Sequence, residues 1–174
     1  MTATGDFRLR PVDEGDLPLI ARWMNDPAVA EFWELAGPAE LTWRHVRPQL
    51  EPGSHSRPYL GLLDGEPVSY WEVYRADRDR LASYYPARPG DVGVHLLLGP
   101  PGARGRGLGA LLIDAVAEEL LAEHSRVVAE PDLRNHASVR SFERAGFRRA
   151  GELELPEKRA VLMLRDRART RTNR

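Results

Sequence analysis

Two stretches of this chain carry residue types that do chemistry, at spacings that would let them act. The first is GPPGARGRGLG (99–109), set between an apolar run and a periodic, helix-like run. Glycines in a strand-to-helix turn expose backbone N–H groups. Together with the helix N-terminus they cradle an anion such as phosphate. The second stretch couples His95, within DVGVHLLLG (91–99), to Asp132 at the end of RVVAEPD (126–132). Were these adjacent parallel strands, their carboxyl ends would meet, and an imidazole–carboxylate pair orients one tautomer and raises its basicity. Each residue also has a plainer reading. A mid-strand histidine can be a satisfied core group, and an aspartate ahead of a helix can be a cap.

The glycine loop admits several readings. A P-loop requires Gly-Lys-Ser/Thr, and no lysine follows any of these glycines. Gly105, Gly107 and Ala110 satisfy the dinucleotide pattern G-x-G-x-x-[G/A], with Glu130 20 residues beyond. Two features oppose that match. Pro100 and Pro101 separate strand from loop, and only 44 residues follow Glu130, too few for further βαβ crossovers. Glycines with no ligand are disfavoured because glycine at a helix start costs stability against alanine. Metal chemistry finds no support: there is no cysteine, and His45, His55, His95, His124 and His136 show no ligand spacing.

The elements that must position these residues follow from periodicity. FRLRPV (7–12) alternates like a strand, and DEGDLPLIARWMND (13–26) like an amphipathic helix broken at Asp26-Pro27. One short helical region falls within 28–48, and strands 57–64 and 66–74 flank the hairpin signal Asp64-Gly65. Residues 75–91 read as a loop. A strand over 91–99, a helix over 110–124, a strand over 126–132, a helix over 136–146 and two closing strands complete the chain. The order β-α-α-β-β-β-α-β-α-β-β predicts a mixed α/β layer fold.

Composition narrows the class. The chain has 174 residues, 42% hydrophobic and 29% charged, which suits one globular domain with a sizeable core. No apolar run is long enough to span a bilayer, and MTATGDFRLRP lacks a signal peptide's apolar middle. The expectation is a soluble, cytoplasmic protein. The net charge of -1 hides an arginine-rich end, RDRARTRTNR (165–174), read as a solvated basic tail on an acidic body. The domain is expected over 1–164 and the tail over 165–174. Lys158 is the only lysine among 25 basic residues.

Arg104, Gly107 and Gly109 also satisfy [Q/R]-x-x-G-x-[G/A], and Asn135 with SFERAGF (141–147) fits N-x-x-[SA]-x-x-x-[YF]-E-[KR]-x-G-F. In these motifs, and in element order over nearly its whole length, the chain resembles the GNAT (Gcn5-related) N-acyltransferase superfamily. The stretches DPAVAEFW (26–33), EPVSYWEVY (66–74), DVGVHLLLGPPGARGRGLG (91–109), EPDLRNHASVRSFERAGF (130–147) and LPEKRAVLM (155–163) resemble its siderophore-biosynthesis subgroup. Those enzymes acylate hydroxylysine, lysine or N-hydroxy-diamines.

The resemblance implies a single-domain GNAT fold, α/β, with a mixed, mostly antiparallel sheet flanked by helices. It implies acetyl-CoA or succinyl-CoA as co-substrate, without a metal. Arg104, Gly105, Arg106, Gly107, Leu108 and Gly109 would hold the pyrophosphate. Leu96, Leu97 and Leu98 would pair with the pantetheine arm, and Asn135 would contact the same arm. His95 is the implied general base with Asp132 as its partner, because attack on a thioester must shed one proton. Trp33, Trp71, Glu72 and Lys158 are the acceptor-cleft candidates. Trp71 and Glu72 lie on opposite faces of one strand, so they cannot share a wall. A tyrosine that many GNAT enzymes use to protonate the leaving thiolate is here Phe142.

The partner implied is a small-molecule amine or hydroxylamine, with no nucleic acid and no membrane. The alternatives are acetylation of an aminoglycoside or a protein N-terminus, and a non-catalytic acyl-CoA-binding domain. With no cysteine, no acyl-enzyme can form through sulfur, so the acyl group should pass directly to nitrogen.

Overall fold

The computed structural model describes residues 5–168. Its elements in chain order are β1 (Phe7–Pro11), α1 (Leu17–Met24), α2 (Pro27–Trp33), α3 (Ala39–Leu50), β2 (Ser56–Leu63) and β3 (Glu66–Arg75). There follow β4 (Val92–Leu98), α4 (Leu108–Glu123), β5 (Arg126–Ala129), α5 (His136–Arg144), β6 (Arg148–Glu154) and β7 (Arg159–Asp166). The strands form one sheet in the order β1-β2-β3-β4-β5-β7-β6. Every neighbouring pair is antiparallel except β4 with β5. The expected single-domain α/β fold, with a mixed sheet and helices on both faces, is the one formed.

Local chemistry explains most boundaries. The first helix begins late: Asp13 and Asp16 form a reciprocal capping box around a 3₁₀ turn, and α1 proper starts at Leu17 with proline in its first turn. The single helical region expected over 28–48 is two helices. Glu34 ends α2 in the left-handed conformation (φ 56°), and α3 restarts after Pro38. Asp64 (φ 51°) and Gly65 (φ 84°) make the tight turn between β2 and β3. The loop over 75–91 is not idle, for a short 3₁₀ turn buries Leu81, and Tyr85 just beyond it is buried too, in one cluster with β3 and β7 side chains. The arginine-rich end begins inside the sheet, since β7 runs through Asp166 and Arg165 donates to Asp114 and the Ala145 carbonyl. Residues 169–174 of the expected basic tail lie outside the described residues.

Two apolar clusters sandwich the sheet. Helices α1 and α3 press Ile20, Met24 and Val46 against Leu60, Tyr70 and Leu97, whereas α4 and α5 press Leu112, Val116 and Phe142 against Trp71, Val94 and Met163. No helix among the described residues is long and apolar enough to cross a membrane.

The parallel pair sets up everything that follows. β4 and β5 share only two rungs, Val92 with Val127 and Gly93 with Val128, and then diverge, although β4 continues to Leu98. A buried ion pair fastens the closed end. Asp91, with no exposed surface, accepts from Arg126 Nε at 2.9 Å and Nη2 at 2.6 Å, and from Tyr85 at 2.7 Å. Asp91→Ala would strand the buried Arg126 cation and is expected to destabilise the protein by about 3–5 kcal/mol. Urea unfolding of the purified variant checks it.

Candidate active site

Beyond the two rungs the sheet is open, and two cavities meet at the gap. One, of about 410 Å³, is lined by His95, Glu72, Glu130, Lys158 and His45. The other, of about 550 Å³, runs along Leu96, Leu97 and Leu98 to the glycine loop. Phe32, Trp33, Leu96, Asn135 and Ser138 line both. The edge of β4 past Gly93 has no strand partner on this side, so its peptide groups are available to an extended ligand.

The glycine-loop cavity has the features that could hold a polyanion. Gly105 (φ 74°) and Gly107 (φ 75°) adopt left-handed conformations next to open space, so backbone geometry rather than crowding demands glycine. Gly107 caps α4 without a side chain, leaving the first amides of that helix, at Leu108 and Gly109, free to bind an anion. Arg140 and Arg144 of α5 line the same cavity. Arg104 serves mainly as a tie. Its guanidinium donates to the Leu98 and Gly99 carbonyls, each at 3.0 Å, and meets Asp26 at 3.2 Å. Arg106 is exposed and lines neither cavity, and Leu97 is mostly packed among α1–α3 side chains.

The second cavity is organised by buried charge. His95 Nε2 donates to Glu130 Oε1, and its Nδ1 stands 3.7 Å from Glu72 Oε1. Lys158 Nζ lies 2.6 Å from the other Glu130 oxygen, and the Tyr74 hydroxyl donates to Glu130 at 3.4 Å. Glu72, opposite His95 in the β3–β4 ladder, also receives His45 Nε2 at 2.8 Å, the Tyr70 hydroxyl at 3.0 Å and Gln49 Nε2. Trp33 stands edge-on to both imidazoles, at 6.2 Å from each ring centre.

The His95–Asp132 pair expected from sequence is not made. Asp132 is instead held by Arg134, accepting from its backbone N–H at 2.8 Å and its guanidinium at 2.9 Å. Register gives the reason. Continuing the two parallel rungs, His95 stands across from Glu130, whereas Asp132 lies two residues further along. Asp132 still lines the cavity. Trp71 is also corrected: it points away from Glu72 and is fully buried on the α4–α5 side, its Nε1 on Ser69 Oγ at 2.8 Å. Trp33, Glu72 and Lys158 do line the acceptor-side cavity. Asn135 sits at the junction, its Oδ1 accepting from the Ser138 N–H at 3.2 Å.

Sequence reading missed Glu130 and His45. Glu130 had a signal, as a carboxylate closing an apolar strand. His45 and Gln49, four residues apart on α3, share one helix face, but nothing in the sequence points that face at Glu72.

Burial alone would strip the proton from His95, yet Glu130 and Glu72 outweigh it and push its pKa up to about 10. Burial would raise the Glu130 carboxyl, but the His95 and Lys158 charges bring it down to about 2. Glu72 is driven well below the usual carboxylate range against its own burial, chiefly by His45 and His95. The same Glu72 contact raises His45 despite desolvation. The ring at neutral pH is therefore an imidazolium between two carboxylates.

The sequence matches a family model described as an acetyltransferase (GNAT) domain over residues 13–155. It is 36% identical over 163 residues to a lysine N-acyltransferase, MbtK, of Mycolicibacterium paratuberculosis, covering 92% of this chain and 73% of that protein. It is also 36% identical over 155 residues to an N(6)-hydroxylysine O-acetyltransferase of Escherichia coli. That match covers 87% of this chain but only 49% of the longer protein. Among solved structures, an aminoglycoside acetyltransferase in complex with coenzyme A superposes with a TM-score of 0.81 at 27% identity, covering 93% of this chain and 95% of that one.

Glu130→Gln should release the imidazolium. The His95 titration midpoint, read by ring NMR, is expected to fall from about 10 toward 6.5. Because the folded pKa is raised, the stabilisation from this ion pair is complete below pH 6.5 and lost as pH climbs through about 10. The wild type should thus lose stability over that alkaline window more steeply than the variant.

Proposed function

The chain belongs to the GNAT acetyltransferase family and is an acyl-CoA-dependent N-acyltransferase, and from that premise we propose that it builds hydroxamates for siderophores. It transfers acetyl, succinyl or another short acyl group from CoA to the terminal amine of an N-hydroxylated diamine or of N6-hydroxylysine. One observation carries the reading: a polyanion cavity and a carboxylate-rich cavity open into each other beside His95 and Glu130. Five carboxylates, Glu34, Glu72, Glu130, Asp132 and Glu157, line the second against Arg80, Lys158 and the His95 imidazolium, a surplus of negative charge that suits an amine. The names of the two curated relatives favour a lysine-like or hydroxylamine acceptor over others.

The acyl-CoA would lay its pyrophosphate on the amides of the glycine loop and its pantetheine arm along the free edge of β4, by Asn135. That brings the thioester to the junction. The acceptor nitrogen attacks the carbonyl carbon directly, the N–C bond forms, and the C–S bond breaks. A hydroxylamine is far less basic than an alkylamine and arrives mostly neutral, so little proton abstraction is needed before attack.

The surplus proton on nitrogen passes into the His95–Glu130 pair. The expectation of His95 as general base with Asp132 as its partner is revised here, because Glu130 and not Asp132 faces the imidazole. At neutral pH His95 already carries its proton, held by two carboxylates, and a Glu130 carboxyl brought down to about 2 is too weak a base to keep another, so the pair relays the nitrogen's proton to solvent rather than storing it. Lys158 holds the far oxygen of Glu130 and so fixes the carboxylate's orientation.

The test is CoA release from acetyl- and succinyl-CoA with N-hydroxycadaverine, N6-hydroxylysine, their parent amines and an aminoglycoside. Hydroxylated acceptors should give the highest kcat/KM. Turnover confined to the aminoglycoside would overturn the acceptor assignment, and no turnover with any amine would leave a CoA-binding domain. His95→Ala and Glu130→Gln should each lower kcat by about 100-fold or more. A change confined to melting temperature would return both residues to a structural role.

A further inference from the structure

Every cation lining the acceptor-side cavity already has a carboxylate, and one carboxylate there has no cation. Lys158 Nζ holds Glu130, the His95 imidazolium lies between Glu130 and Glu72, and His45 Nε2 meets Glu72 at 2.8 Å. Arg80 takes Glu157 with both terminal guanidinium nitrogens, Nη1 meeting Oε2 at 3.0 Å. Asp132 is satisfied by Arg134 at 2.9 Å, from outside the cavity lining. Glu34 is the exception. It is exposed, it lines the cavity, and among the described residues its carboxylate makes no ion pair and accepts no hydrogen bond. Arg134 feels its charge only beyond ion-pair distance.

Nothing in the ending of α2 calls for a charge at this position. Glu34 caps that helix in the left-handed conformation (φ 56°), which glycine or asparagine adopts at less cost than glutamate. Trp33, its neighbour in the chain, stands edge-on to His95 with ring centres 6.2 Å apart. Phe32, Trp33, Val94 and Leu96 supply apolar wall to the same cavity. That combination suits a short alkyl chain with a reacting group at one end and a positive charge at the other.

We propose that the acceptor is an N-hydroxylated diamine without a carboxylate, and that Glu34 is the specificity-determining residue that receives its distal ammonium. The inference deepens the acyl-transfer reading of this cavity and rests on it. A distal ammonium meets the one carboxylate that has no partner. The α-carboxylate of N6-hydroxylysine has no such counterpart. Every cation in the lining is already paired, so this group would either stand uncompensated among five carboxylates or have to break the Arg80–Glu157 pair.

Steady-state kinetics with acetyl-CoA and three acceptors test this. N-hydroxycadaverine and N6-hydroxylysine share the hydroxylamine, the chain and the distal ammonium, and differ by one carboxylate. N-hydroxypentylamine lacks the distal ammonium. N-hydroxycadaverine should exceed each of the others in kcat/KM by about 10-fold, with the advantage in KM. Glu34→Gln keeps the size of the side chain and should shrink the advantage over N-hydroxypentylamine about 5-fold, and Glu34→Asp should restore part of it. N6-hydroxylysine turned over as well as N-hydroxycadaverine would overturn the diamine assignment and leave acyl transfer standing. An equal loss on all three acceptors in Glu34→Gln would mark Glu34 as a structural part of the α2 end and overturn its role. If no acceptor turns over, calorimetric binding of N-hydroxycadaverine and N6-hydroxylysine to the CoA-loaded protein decides. A preference for the diamine that Glu34→Gln abolishes would discard the acyl-transfer reading and keep the charge assignment, whereas equal binding or none would overturn both.

Discussion

Two rungs of parallel pairing, and then none, are the constraint on which the rest of this molecule depends. A buried ion pair between Asp91 and Arg126, completed by Tyr85, holds β4 and β5 together at one end. Past Gly93 the strands separate, and the gap becomes the meeting point of two cavities. A fully paired sheet would satisfy the β4 edge with β5 and leave nothing for an extended ligand. A wholly separated one would lose the register that stands His95 opposite Glu130. The split therefore leaves both a free strand edge and the His95–Glu130 pair at the gap.

Around that gap the protein buries an unusual amount of charge. Glu72 and Glu130 are almost fully covered, and each would be costly alone. They are tolerated because His95 lies between them, with His45 and Lys158 on their outer oxygens. The sole lysine of an arginine-rich chain stands at the end of this series. A compact ammonium fits against one carboxylate oxygen where a guanidinium would bring a broad fork of donors. The arrangement has an electrostatic consequence, since an imidazole so flanked keeps its proton at neutral pH.

Much of this was legible beforehand, for reasons that differ by residue. The glycine loop, Asn135 and the helix after the loop are local in sequence, and a turn's chemistry is written in adjacent residues. The strands were found from alternation, and alternation also showed that Trp71 and Glu72 face opposite ways; only packing decided which of them meets the cavity. Asp132 is the partner that sequence suggests for His95 because it ends the neighbouring strand candidate, and adjacent parallel strands bring their carboxyl ends together. The difference is one of register: just past the end of β5, a two-residue step exchanges Asp132 for Glu130, and no single-chain pattern reports how two distant strands align. His45 was invisible for a related reason, since its role needs α3 packed against β2 with its side chain reaching Glu72 on β3.

The amino-acid sequence by itself determined the seven strands in chain order, the glycine-rich turn before α4, the lack of a tyrosine at Phe142 and the exclusion of cysteine chemistry. These are properties of residue type and short spacing. Tertiary structure alone decided which carboxylate meets His95 and which tryptophan is core. Each of those depends on strands and helices distant in the chain being brought to a common depth and register. Burial and electrostatic coupling act on distances in space, which a linear sequence does not specify residue by residue.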